Sequence, residues 1–205
     1  MSAPRLLCRP LTAIALALSA GAFSVCQPAA AQATVSGNAV ISSGALNGSS
    51  GALTVNEAAG LNNAQSNQLL ITNGLGYSAN TQSASAAARV PSAHASIEGT
   101  AFSNISGALM VNQSAGAANA QSNSVVLSAM PMNVAIASDN DLSAVVPQER
   151  SLGKPMQARD TREAIISNQA FKNVNGIAQV NQTAGAGNAT ANSFVLRPPA
   201  GTFFN

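Results

Sequence analysis

One feature constrains this chain more than any other: a 33-residue unit is written three times. Residues 39–71, 95–127 and 164–196 align without a gap, at offsets of 56 and then 69. Eleven columns hold the same residue in all three copies; in the middle copy these are Ala95, Ile97, Ala101, Gly107, Val111, Asn112, Ala115, Gly116, Asn119, Ala120 and Asn123. A repeat of this length is one supersecondary unit that cannot bury its apolar face alone, so the copies must stack on one another.

The repeat predicts strands rather than helices. Each copy has three runs with β character: in the middle copy these are Ala95–Phe102, about eight residues from Gly107, and Asn119–Leu127. Turns are expected near Asn104–Ser106 and Gly116–Ala118, with Gly51, Gly60, Gly107, Gly116, Gly176 and Gly185 as punctuation. Alanine favours helix, but the interior Gly, Asn, Ser and Thr all lower helix stability. The expected fold is all-β: a three-repeat layered β-solenoid of cross-β type with flexible linkers.

Amide side chains decide how the layers meet. In the last run Asn119, Gln121, Asn123, Val125 and Leu127 point one way, while Ala120, Ser122, Ser124 and Val126 point the other. A buried amide without a partner costs on the order of 1–3 kcal/mol. An identical amide one strand spacing above removes that cost by forming a hydrogen-bonded ladder. Three ladders are predicted: Asn56, Asn112 and Asn181; Asn63, Asn119 and Asn188; Asn67, Asn123 and Asn192. Gln65, Gln113, Gln121 and Gln182 are expected to add further contacts of the same kind.

The segments around the repeats have other characters. Residues 1–33 read as a secretory signal: Arg5 and Arg9 precede an apolar run from Leu11 to Val25, and Ala31-Gln32-Ala33 is a small-x-small site, so cleavage is predicted between Ala33 and Thr34. A lipoprotein reading would use Cys26, but Val25 is too bulky for the residue wanted before it. Residues 34–38 form a short lead. Residues 72–94 and 128–163 are expected to be exposed linkers, since they carry Pro91, Pro131, Pro147 and Pro155 and differ in length. Residues 197–205 form a tail.

Removing the signal leaves 172 residues with no cysteine and with seven basic against seven acidic side chains. A neutral chain has no basic patch, which argues against nucleic acid or an anionic membrane surface as partner. No integral membrane segment is expected after cleavage, because the signal's apolar run falls short of the roughly 20 residues a span requires. Catalysis has no candidate constellation, and no cofactor or metal is expected. His94, the sole histidine, reads as a solvated residue at a linker junction. Asp139 and Asp141 do not continue into a calcium loop, and the Gly-rich stretches lack the Lys and Ser/Thr of a phosphate loop. The cluster Arg159-Asp160-Thr161-Arg162-Glu163 reads as a solvated linker end or a gatekeeper against premature pairing. Phe102 and Phe171, with Leu46 in the first copy, read as packing residues.

The skeleton GALMVNQSAGAANAQSN resembles the repeats of Fap-type functional amyloids, secreted biofilm fibre subunits of bacteria. Gly51–Asn67 and Gly107–Asn123 carry the resemblance, and Gly176–Asn192 departs from it with Thr190 in place of the glutamine. Curli subunits are a more distant comparison. The resemblance implies export through an outer-membrane pore, a cross-β fibre with one repeat per layer, related fibre subunits as companions, and a role in biofilm and adhesion. Members of that family usually carry a cysteine pair near the C-terminus, and this chain departs from that too. No polar or helical cap flanks the copies, so both end layers are expected to offer unpaired backbone and amides to another copy, and polymerisation follows. A monomeric, surface-attached solenoid adhesin or ligand-binding repeat protein is the alternative.

Overall fold

A computed structural model describes residues 33–73, 78–128, 142–145 and 160–196. Each repeat forms one layer of three strands. Layer 1 holds β1 (Ala33–Ile41), β2 (Ser50–Leu61) and β3 (Ala64–Thr72). Layer 2 holds β5 (Ala88–Ile97), β6 (Ser106–Ala117) and β7 (Ala120–Ser128). Layer 3 holds β9 (Thr161–Ile166), β10 (Asn175–Ala186) and β11 (Ala189–Leu196). The short strands β4 (Gln82–Ser85) and β8 (Leu142–Val145) lie between the layers in sequence.

Strands pair only with their counterparts in the next layer. The sheets run β1-β5-β9, β2-β6-β10, β3-β7-β11 and β4-β8, and every pairing is parallel. The register joins identical columns: Asn56 faces Asn112, which faces Asn181, and Asn67 faces Asn123, which faces Asn192. The expected three-layer, all-β architecture is therefore the one observed, with layer 2 between the other two.

Two apolar clusters hold each layer together. One packs Ile41, Ile97, Ala101, Phe102, Ile105, Leu109 and Val111, at the arc joining the first and second strands. Phe102 stacks on Phe171 with ring centroids 5.2 Å apart, so the packing role expected of these residues holds. The other cluster is built almost entirely of alanine, including Ala39, Ala93, Ala95, Ala115, Ala117 and Ala120. Small side chains let the first and second strands approach closely: a Cβ on Gly37 of β1 would overlap backbone of Gly116. The shortage of large hydrophobes is offset by this short sheet-to-sheet distance, which close-packs small groups.

Several boundaries differ from the sequence reading. The first strand of layer 2 starts at Ala88 and ends at Ile97 instead of running from Ala95 to Phe102, and the arc occupies residues 98–105. Phe102 and Asn104 adopt φ of 57°, with the same left-handed geometry at Phe171 and Asn173. The corner between the second and third strands is made by Asn62, Ala118 and Gly187, at φ of 52°, 52° and 70°. The six glycines expected to make turns lie inside strands β2, β6 and β10 instead, at positive φ. They are needed there because a Cβ on Gly60, Gly107, Gly116 or Gly176 would overlap the carbonyl of the glycine in the adjacent layer.

The segments read as linkers carry structure of their own. Ala84, Ala86, Ala88 and Val90 are buried, while Ser83, Ser85, Ala87 and Arg89 between them are exposed, the alternation of a half-buried strand. Pro91 lies in β5 where the register with β1 shifts between Thr34 and Ser36, a bulge that needs no N–H from proline. His94 belongs to β5, not to a loop, and its Nδ1 lies 3.3 Å from Glu163 Oε2. Arg89 pairs with Asp160 at 3.2 Å. The acidic members of the expected charge cluster thus face bases of layer 2. The signal segment through Gln32, Cys26, Asp139, Asp141 and the tail from 197 lie outside the described residues; Ala33 and Thr34 open β1.

Candidate functional site

The asparagines of the columns line the interior between the second and third strands of every layer, while Gln113 and Gln182 face the first strands. Strand alternation aims Asn112 from β6 and Asn123 from β7 at each other, because the corner at Ala118 folds one strand over the other. Asn123 Nδ2 donates to Asn112 Oδ1 within layer 2 at 3.0 Å. The same bond recurs from Asn67 to Asn56 at 2.9 Å and from Asn192 to Asn181 at 2.9 Å.

Bonds between layers turn these pairs into columns. Asn112 Nδ2 donates to Asn56 Oδ1 at 3.0 Å, and Asn181 Nδ2 to Asn112 Oδ1 at 3.0 Å. Asn123 donates to Asn67 at 2.9 Å, and Asn192 to Asn123 at 3.0 Å. Asn119 donates to Asn63 at 2.8 Å, and Asn188 to Asn119 at 2.7 Å. Cross-bonds from Asn112 to Asn67 and from Asn181 to Asn123 knit two of the columns into one network. The three expected asparagine columns are all present as contacts within the chain, although two of them are a single interlocked structure.

The glutamines form two further columns. Gln182 Nε2 donates to Gln113 Oε1 at 2.8 Å, and Gln113 Nε2 to Glu57 Oε2 at 2.8 Å. Gln65 Nε2 donates to Gln121 Oε1 at 2.9 Å, in the opposite sense along the stack. Gln121 then turns to Thr183 Oγ1 at 3.2 Å, and in layer 3 the column ends at Thr190, whose buried Oγ1 has no partner among the described residues.

Three parts of this network are missed by sequence reasoning. Glu57 is the one charged residue in a column otherwise occupied by Gln113 and Gln182. Ser114 and Thr183 accept from Gln65 and Gln121, and their only signal is a hydroxyl in two of three copies. Asn104, expected to do no more than make a turn, has the positive φ of one, as does Asn173. Yet Asn173 also donates to Asn104 and Asn104 to Asn47, each at 3.0 Å.

Burial separates the layers sharply. From Leu109 to Val126 every residue of layer 2 is buried, including Asn112, Gln113, Asn119, Gln121 and Asn123. In layer 1 Asn56 is exposed, and Glu57, Asn63, Gln65 and Asn67 are half-buried. The exposed large hydrophobic residues, Leu46, Leu61, Ile71, Ile165, Ile166, Phe194 and Leu196, all belong to layers 1 and 3. A layer with a neighbour on each side is core; a layer with one neighbour is largely surface, although Gln179, Asn181 and Thr183 of layer 3 are buried. Among the described residues no group of three or more His, Cys, Asp or Glu side chains could hold a metal ion, and no helix is long and apolar enough to cross a membrane.

Parallel in-register layers joined by continuous amide columns define a cross-β solenoid. The family model of the functional amyloid protein FapB/FapC family matches residues 20–199, and this chain belongs to that family, one of structural amyloid proteins. No solved structure matches the chain.

Proposed function

We propose that this protein is the secreted structural subunit of an extracellular amyloid fibre, self-assembling through its repeats and serving biofilm formation and adhesion at the cell surface. One observation carries the reading: layers 1 and 3 present the same columns that are fully buried in layer 2, each with one side unpaired. The partner that fits such a face best is another copy of the same layer set. Its register is already specified by Asn56, Asn63 and Asn67 on one face and Asn181, Asn188 and Asn192 on the other. Family membership supports a fibre-forming role, and with it export across the periplasm through an outer-membrane pore alongside related subunits. Cleavage between Ala33 and Thr34 is part of the same reading.

The test is incubation of the purified chain lacking residues 1–33 at micromolar concentration. Fibres that bind thioflavin-T and give a meridional reflection at about 4.7–4.8 Å are expected. A chain that stays monomeric for days, seeded or unseeded, refutes the fibre reading in favour of a solenoid that acts alone.

A further inference from the structure

The two ends of the stack are chemically different. In the asparagine columns every amide-to-amide bond between layers donates towards layer 1, from layer 3 to layer 2 and from layer 2 to layer 1. Layer 3 is therefore left with acceptors, the Oδ1 atoms of Asn188 and Asn192 and the Oε1 of Gln182. Layer 1 offers the amide donor of Asn56, whereas Asn63 Nδ2 is turned to Gly116 O of layer 2 at 3.3 Å and to Ala59 O at 3.5 Å. The Gln65 column runs the other way and ends with matching reversed polarity, the buried unpaired Thr190 hydroxyl on layer 3 and the Oε1 of Gln65 on layer 1. The Asn56–Asn181 and Gln65–Thr190 columns thus present complementary groups at opposite ends, as a head-to-tail joint of two copies needs.

Glu57 is the exception. Gln113 and Gln182 use their amides to donate to carbonyls of the first strands, Ser96 and Ile165, and to the layer below. A carboxylate cannot donate, and Glu57 is turned instead: its Oε2 accepts from Gln113 at 2.8 Å and its Oε1 accepts the backbone N–H of Val40 at 2.8 Å. Val40 lies in β1, the edge strand of its sheet, opposite Ser96. Glu98 N–H donates to Ile41 and Ser167 N–H to Ile97, so N–H groups point away from the core stack at alternate residues of β1, Val40 among them. By that pattern an arriving β9 would need the Val40 N–H for the carbonyl of its Ala164. Glu57 both occupies that donor and leaves the Oε1 of an arriving Gln182 facing an acceptor.

We propose that Glu57 guards the layer-1 face, so that seating layer 3 of the next copy on it is the slow step of fibre growth, at a rate set by this side chain. The inference rests on the fibre reading above. Edge strands blunted by a charge are a general device against uncontrolled pairing, and here the charge sits at a joint that must nonetheless form.

Seeded elongation followed by thioflavin-T tests it. Glu57→Gln frees Val40 and supplies the missing donor, so elongation should rise by about fivefold or more, since one net hydrogen bond is worth about that factor. Glu57→Ala frees Val40 without adding an amide and should fall between wild type and Glu57→Gln. Gln182→Glu sets carboxylate against carboxylate across the joint and should slow growth. The same change in the Glu57→Gln background should cost much less, because the amide introduced at position 57 of the next copy can donate to it. Equal elongation of wild type and Glu57→Gln overturns the guard while leaving the fibre reading intact. An equal penalty for Gln182→Glu in both backgrounds shows that layers 1 and 3 do not meet and overturns the joint. Failure of every variant to form fibres removes the fibre reading and this inference together.

Discussion

Asn112 shows how much one side chain carries in this fold. Its Nδ2 lies within 3.0 Å of Asn56 Oδ1, Ser66 O and Asn67 Oδ1, while its Oδ1 accepts from Asn123 and Asn181. Aspartate at this position keeps the acceptors and loses every donor, in a site with no exposure. Each buried acceptor left without a donor costs on the order of 1–3 kcal/mol, and the two carboxylates, side by side within layer 2, repel as well. The double variant Asn112→Asp/Asn123→Asp should therefore lengthen the lag of assembly at neutral pH by more than about tenfold, read by thioflavin-T. Equal lag times for variant and wild type would remove the ladders from any part in assembly. The ion pairs at the edge belong in a lower class: Arg89 is about half exposed, and such pairs contribute roughly 0–1 kcal/mol.

At the scale of the element, the arc of layer 2 is where conventional apolar packing concentrates. Phe102 has no exposed surface and stacks on Phe171, whereas Leu46, its counterpart in layer 1, is 38% exposed. Phe102→Ala should cost about 3–5 kcal/mol, the usual penalty for emptying a buried aromatic site. Leu46→Ala should cost well under half of that, and urea unfolding of the two variants by circular dichroism measures the difference. The same elements show what is legible in the sequence. The repeat offsets, parallel stacking and the asparagine columns can be read because identical residues recur at fixed offsets, and self-stacking is the simplest way to satisfy them. Strand ends cannot, because the arc's left-handed residues include Phe102 and Ala118 terminates the corner, neither of them a residue type that announces positive φ. Strand β4 and the start of β5 are hidden by composition: in QSASAAARV most buried and exposed positions are small, so alternation leaves little contrast in hydropathy. Glu57 is silent for a different reason: a repeat is defined by what the members of a column share, while the meaning of this column lies in the one that differs.

For the whole molecule, the consequential feature is that the three layers are alike in backbone, while a single amide column carries a charge in one layer only. A perfect amyloid has a period of a single layer. In a head-to-tail fibre of this chain Glu57 occurs once in every three layers, between stretches occupied by Gln113 and Gln182, and β4 and β8 flank the stack at only part of its height. The true crystallographic repeat is then one chain, three layers tall, or about 14 Å at 4.7–4.8 Å per layer. Aligned fibres should show a weak meridional reflection near that spacing beneath the strong layer reflection, and its absence from well-ordered samples would mean that copies join out of sequence. The fibre would carry its own ruler: a row of single carboxylates marking, along an otherwise uncharged amide seam, where each molecule ends and the next begins.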